Sequence, residues 1–334
     1  MSPSLPLTAV LEMTYRCNHA CLFCSCPWFA DDFAIEDEID ADEWKAVIDA
    51  LHARNVYDMA FTGGEPLLKD GLFDIIRHAA GLGVSTHLLS NGRMMSDEVL
   101  QFCAENKVQL SISLPGLETF QEHTGSDTNP QDVLDWLRKS HELGIATVAG
   151  ITVTNHNLYE LFEMMAEALL AGADSILLNR FMPGGRGLQH RHYELTTPQL
   201  NEMLDTAEEV LRTANRSGHV GTELPLCVIE PSKYKHLNVG TRCSAAVGFF
   251  VIDPSGYIRV CNHSEKRLLH WRELDRIAEH PYWKRFTEKS FLPSYCLGCE
   301  HSFRCDGGCR EAAHIVGGEI TSLDPLMVGA TEQQ

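Results

Sequence analysis

Three cysteines stand close together near the start of the chain, in the run Thr14-Tyr15-Arg16-Cys17-Asn18-His19-Ala20-Cys21-Leu22-Phe23-Cys24. Thiolates suit iron–sulfur clusters, and three ligands on one short loop reach three corners of a cubane. The fourth iron is then left free to bind a small molecule. Zinc is the weaker reading of this loop, because structural zinc sites usually gather four ligands in a pair of two-residue-spaced knuckles. Of the twelve cysteines, six more crowd the last third: Cys243, Cys261, Cys296, Cys299, Cys305 and Cys309. Residues 1–7 lack the basic region and apolar core of a signal peptide, so the expectation is a reducing, cytoplasmic setting without structural disulfides. In that setting clustered cysteines read as metal ligands.

Such ligands need a scaffold to position them. From residue 8 to residue 179, short β-rich runs (8–13, 57–62, 84–89, 108–114, 146–154 and 175–179) alternate with helical patterns near 41–54, 70–81, 96–104, 130–143 and 157–171. Leu72, Phe73, Ile75, Ile76 and Ala79 form the 3.6-residue stripe of a helix lying on a sheet. Six βα units in a row predict a parallel sheet, open or curled into a partial barrel, with chemistry on loops at the carboxyl ends of its strands. A helix over 197–217, capped at Thr197, is expected to close this domain at residue 220. Residues 221–334 read as a second, smaller domain. There, strands 248–252 and 257–260 flank the turn Asp253-Pro254-Ser255-Gly256, and the rest is cysteine-punctuated loop that metal would staple.

The net charge is −19, from 46 acidic against 27 basic residues, which argues against nucleic acid as a partner. No apolar run approaches the ~18–20 residues of a membrane span.

The spacing C-x3-C-x2-C at the end of a first strand resembles the signature of the radical S-adenosylmethionine (SAM) superfamily, and Phe23 matches its usual aromatic. The resemblance implies an α/β fold with a partial (β/α)6 TIM-type barrel. It also implies a 4Fe–4S cluster on Cys17, Cys21 and Cys24, with SAM at the open iron. Thr62-Gly63-Gly64-Glu65-Pro66 resembles the family's "GGE" motif, which implies close backbone approach to the ligand at Gly63 and Gly64 and a Glu65 contact to the methionine amino group. Ser113, in Ser111-Ile112-Ser113-Leu114, matches a ribose-contacting strand. Thr152 and Asn155 fall where the family keeps an adenine-binding segment, and Asn91 is expected at the same mouth. Two departures stand out: Pro115-Gly116 replaces a common Asp-Gly, and Thr124 replaces a basic residue.

The C-terminal cysteines resemble the SPASM extension: Cys243-x17-Cys261 with Gly256 between, then Cys296-x2-Cys299-x5-Cys305-x3-Cys309. That resemblance implies one or two auxiliary clusters, the first on Cys243, Cys261 and Cys309 and the second on Cys296, Cys299 and Cys305. Cys227 is the expected fourth ligand of the first. The final cysteine of the usual Asp-Pro-x-Cys element is here Met327, in Leu323-Asp324-Pro325-Leu326-Met327. The second cluster is then completed by Asp324, left open, or labile. Two zinc sites remain the alternative that spacing allows. Cys103 and Cys26 read as packing residues.

The family's chemistry is reductive cleavage of SAM to a 5′-deoxyadenosyl radical that abstracts a substrate hydrogen. An external electron donor such as flavodoxin or ferredoxin is implied. Most SPASM proteins act on peptides, so the expected function is modification of a ribosomally synthesised peptide or protein by C–C or C–heteroatom bond formation. The alternative is a tetrapyrrole or other cofactor-biosynthesis enzyme, suggested by the compact layout and by Gly307-Gly308-Cys309-Arg310. A non-catalytic cluster scaffold is the third reading. The first cysteine comes at residue 17, so recognition of a leader peptide is expected to need another protein or another surface.

Overall fold

Each of the six N-terminal strands carries two faces. They are β1 (Thr8–Glu12), β2 (Asp58–Thr62), β3 (Ser85–Ser90), β4 (Gln109–Ser113), β5 (Thr147–Val153) and β6 (Ser175–Arg180). Alternate residues such as Ala9, Leu11, Met59, Phe61, Leu88, Leu110, Ile112, Ala149, Ile151, Ile176 and Leu178 are buried. They lie under the helices α1 (Ala41–His52), α2 (Leu72–Gly81), α3 (Asp97–Asn106), α4 (Phe120–Thr124), α5 (Pro130–Glu142) and α6 (Leu161–Leu170). The opposite residues, Val10, Ala60, Leu89, Ser111, Gly150, Thr152 and Leu177, are only half-buried. Because strand side chains alternate, these residues share one face, and a cavity of about 480 Å³ opens on it beside β1–β3. The structure is a computed structural model describing residues 5–30 and 33–331. Residues 1–4, within the segment read as lacking a signal, lie outside the described residues.

All six strands are parallel neighbours in sequence order, as the βα alternation predicts. The helix after β6, α7 (Thr197–Ala214), is capped by Thr196, one residue earlier than expected, through a reciprocal capping box with Gln199. It also ends earlier, at Asn215 with φ 50°, and the chain turns into β7 (Ser217–Val220).

The sheet does not stop at residue 220. Beyond β7 it continues into β8 (Leu237–Val239), and at the other edge β9 (Phe249–Ile252) pairs in parallel with β1, Thr8 facing Phe249 and Leu11 facing Ile252. β10 (Ile258–Arg259) returns antiparallel to β9, forming the expected hairpin. Asp253 holds that turn by accepting from Ser255 N–H at 3.0 Å and Tyr257 N–H at 2.9 Å. Tyr282 and Trp283, on α8 (Pro281–Thr287), join the same apolar cluster as the barrel residues. Two short helices, α9 (Arg310–Gly317) and α10 (Pro325–Thr331), complete it. Among the described residues no helix is long and apolar enough to cross a membrane.

Candidate functional site

β1 delivers the chain to the open end of the sheet, where the three-cysteine loop begins. The root of the loop is fixed first: Met13 N–H donates to Thr62 O at 2.8 Å, and Glu38 accepts from Thr14 Oγ1 at 2.6 Å and Tyr15 N–H at 2.9 Å. The loop then pairs with the end of α4, Ala20 N–H donating to Thr124 O at 2.8 Å and Leu22 N–H to His123 O at 2.9 Å. Thr124, where a basic residue was expected, thus acts through its carbonyl. On the other side Gly187 N–H donates to Cys24 O at 3.1 Å and Arg186 to Cys21 O at 3.1 Å. The run 184–187 is therefore a clamp on the cysteine loop. A Cβ on Gly185, whose φ is +48°, would come within 3.0 Å of Cys24 O.

The glycines of the second motif face the same loop. Gly64 N–H donates to Thr14 O and Glu65 N–H to Arg16 O, both at 2.8 Å. A Cβ on Gly63 would lie 2.7 Å from Thr14 O, and one on Gly64 would collide with the Arg16 carbonyl. Their smallness serves contact between two backbone segments. Gly64→Ala must push the cysteine loop outward, and displacements of about 1 Å at a reacting centre cost on the order of 100-fold in rate. SAM cleavage in Gly64→Ala is expected to fall by that factor. Gly81→Ala, with no neighbour within 4 Å of the added Cβ, should be indistinguishable from the parent. Equal activity of the two variants would contradict the clamp.

Glu65 is fully buried, and burial raises its pKa to about 7. Its carboxylate accepts from Ser90 Oγ at 2.9 Å, Asn91 N–H at 2.8 Å and Leu67 N–H at 3.2 Å. It braces the end of β3 against the cysteine loop. Asn91, so positioned, donates to Asn18 Oδ1 at 2.7 Å and lies 3.8 Å from Cys17 Sγ. Ser113 is exposed at the end of β4 and Thr152 is half-buried on β5. Asn155 is placed otherwise: its amide donates to His192 O at 2.7 Å and Glu194 O at 3.3 Å, pinning the segment that follows the glycine clamp.

Burial raises the thiols of Cys17 and Cys21. Contact with the thiol of Cys26 lowers Cys24 and raises Cys26. Cys26, read from sequence as a packing residue, also donates to Gly63 O at 3.8 Å and lines the cavity.

The C-terminal cysteines separate into two groups. Cys243, Cys261 and Cys309 lie within electrostatic reach of one another and line one small cavity with Glu223, His263 and Glu311. Glu311 Oε2 is buried there without a hydrogen-bond partner among the described residues. Cys296, Cys299 and Cys305 form the other group, and Cys227 lies with them, since Leu226 N–H donates to Cys305 Sγ at 3.4 Å. Its expected place in the first group is thus corrected. Asp324 is corrected as well. Its carboxylate accepts from Arg180 at 3.1 and 2.6 Å, from Cys309 N–H at 2.7 Å and from Leu326 N–H at 2.9 Å, which commits all its lone pairs.

A sequence profile of the radical SAM superfamily matches residues 11–169, the stretch that contains the cysteine loop, the Gly63-Gly64-Glu65 clamp and strands β2–β5. Over that stretch the chain is similar to the radical SAM superfamily. Among similar proteins is the PqqA peptide cyclase of Xanthomonas campestris pv. campestris, 27% identical over 96% of this chain and 86% of that protein. Among solved structures, Streptococcus suis SuiB bound to its precursor peptide SuiA superposes with a TM-score of 0.76 over 96% of this chain and 75% of that one, at 18% identity. Native anSMEcpe with bound AdoMet gives 0.74 over 98% and 95%, at 16% identity. These structures share the fold of this chain, a parallel sheet curled into a partial barrel.

The residues present fit the family's cofactors. Three half-buried thiols stand on one clamped loop, and beside them Asn18 Nδ2 is buried without a hydrogen-bond partner among the described residues. A group seated at the loop would satisfy that donor. Among the described residues no three His, Cys, Asp or Glu side chains gather tightly enough to share one metal ion. A cubane instead takes each thiolate at a separate iron.

Proposed function

We propose that this chain is a peptide maturase of the radical SAM superfamily, acting on a ribosomally synthesised peptide by hydrogen abstraction and C–C or C–heteroatom bond formation. One observation carries the reading: proteins described as PqqA peptide cyclase match nearly the whole chain, beyond the barrel and through the C-terminal cysteines. A 4Fe–4S cluster on Cys17, Cys21 and Cys24, with SAM at its open iron, supplies the 5′-deoxyadenosyl radical when both are bound and an external flavodoxin or ferredoxin donates the electron. The protein supplies position and dryness. Asn91 stands beside Cys17, Ser113 at the exposed end of β4 and Thr152 on β5 are the candidate SAM contacts, and the half-buried inner face of the sheet receives the substrate side chain. Auxiliary iron–sulfur clusters of the SPASM type fit the two C-terminal cysteine groups, and residues 221–334 form the unit that carries them. The setting proposed is the reducing cytoplasm.

Co-expression with short open reading frames encoded beside this chain, followed by mass spectrometry, tests the reading. A peptide lighter by two hydrogens, with 5′-deoxyadenosine formed only when that peptide is present, is the expected result. Unmodified peptides together with decarboxylation of a supplied tetrapyrrole would overturn it in favour of the cofactor-pathway alternative.

A further inference from the structure

Cys227 lies in Pro225-Leu226-Cys227, on the connection between β7 and β8. It is far in sequence from Cys296, Cys299 and Cys305, yet the fold brings it to them. The backbone N–H groups of Leu226 and Gly307 both donate to Cys305 Sγ at 3.4 Å, and His301 N–H donates to Cys299 Sγ at 3.4 Å. A Cβ on Gly307, at φ +75°, would touch Cys296 Sγ at 3.4 Å. Two of these sulfurs thus accept from backbone donors of the kind that stabilise thiolate charge. Burial raises the Cys227 thiol, and the charges of Cys305, Cys296 and Cys299 raise it further. The other group is distinct, since Cys261 responds to Cys309 and Cys243.

The position where a fourth thiolate would close the C-terminal motif offers none. Met327 is buried on α10, its N–H bonded to Asp324 O at 2.8 Å, and Asp324 is saturated by Arg180 and two backbone donors. We propose that Cys227 is the fourth thiolate of the site formed by Cys296, Cys299 and Cys305, so that this chain completes its second auxiliary cluster from the β7–β8 connection and not from its C-terminal end. The assignment rests on the reading of the C-terminal cysteines as cluster ligands. Four thiolates fill every iron of a cubane, which leaves that cluster no open position for substrate.

The test uses the full chain, reconstituted anaerobically with iron and sulfide. In a Cys17→Ala/Cys21→Ala/Cys24→Ala background, the iron retained reports the auxiliary sites alone. Adding Cys227→Ala should remove about four irons per chain, the content of one cubane. The loss should equal that caused by Cys296→Ala/Cys299→Ala/Cys305→Ala and should not add to it. It should add to the loss caused by Cys243→Ala/Cys261→Ala/Cys309→Ala. Cys227→Ser should keep iron but shift the paramagnetic resonance of the same cluster. Because Cys227 is exposed, these variants should keep their circular dichroism. Alkylation gives a readout that needs no variant: Cys227 should be protected in loaded protein and labelled after chelation. Full iron retention with an unshifted signal, unprotected Cys227, or a loss that merges with the Cys243 group overturns the assignment alone. A triad-less protein that holds no iron overturns the cluster reading and the assignment with it.

Discussion

Cys24→Ala is expected to abolish reductive cleavage of SAM while leaving the fold in place. The loop is held through its backbone: Cys24 N–H donates to Cys21 O at 3.2 Å, Cys24 O accepts from Gly187 N–H, and two further bonds run to the end of α4. None of these needs the sulfur, so alanine keeps the loop and deletes one of the three proposed iron ligands. Formation of 5′-deoxyadenosine under dithionite should fall by more than about 10³-fold, equivalent to roughly 4 kcal/mol of barrier. The melting temperature should stay with that of the parent. Cys26→Ala is the informative companion, because its sulfur touches Cys24 yet lies outside the triad. Changes to groups behind a metal ligand typically cost 10–100-fold, so its loss should be clearly smaller. Parental activity in Cys24→Ala, or an equal collapse in Cys26→Ala, would show that the ligands are misassigned.

The barrel was legible in the sequence because each of its strands and helices announces itself locally. The stripe Leu72, Ile75, Ile76 and Ala79 is buried as its period demands, and the β-rich runs match the six parallel strands closely. The C-terminal third was less legible for a physical reason. β9 has four residues, and its partner β1 lies some 240 positions away, so no local pattern reports that it extends the barrel sheet. The cysteines show the same limit. Spacing along the chain identifies residues able to ligate a cluster, whereas the grouping of Cys227 with Cys305 depends on where the β7–β8 connection is folded. Glycine behaved likewise: the Gly63-Gly64 pattern was visible, but only the structure shows that the crowding atoms are the carbonyls of Thr14 and Arg16. Asn155 and Glu65 were marked as cofactor contacts by position, and their carbonyl and N–H partners became visible only with the packing around them.

The largest stability effect is expected at Asp324. Arg180 ends β6 with its side chain buried, and its only ion-pair partner among the described residues is the equally buried Asp324, at 2.6 Å. Asp324 in turn accepts from Cys309 N–H, so one carboxylate ties the rim of the barrel to the C-terminal cysteine loop. Asp324→Ala leaves a buried guanidinium without its counter-charge, which costs about 3–5 kcal/mol when a buried pair is broken. For a chain of 334 residues that corresponds to a fall in melting temperature of about 4–7 °C. Iron held by Cys243, Cys261 and Cys309 should fall too, because the Cys309 N–H loses its acceptor, while iron held with Cys227 should stay. The double variant Arg180→Met/Asp324→Leu removes both charges at similar volume and should recover most of the lost stability, but not the iron at Cys309. That split separates an electrostatic brace from the cluster-ligand role that sequence position alone suggested: a ligand of the second cluster would instead lose the iron held with Cys296, Cys299 and Cys305 in both variants.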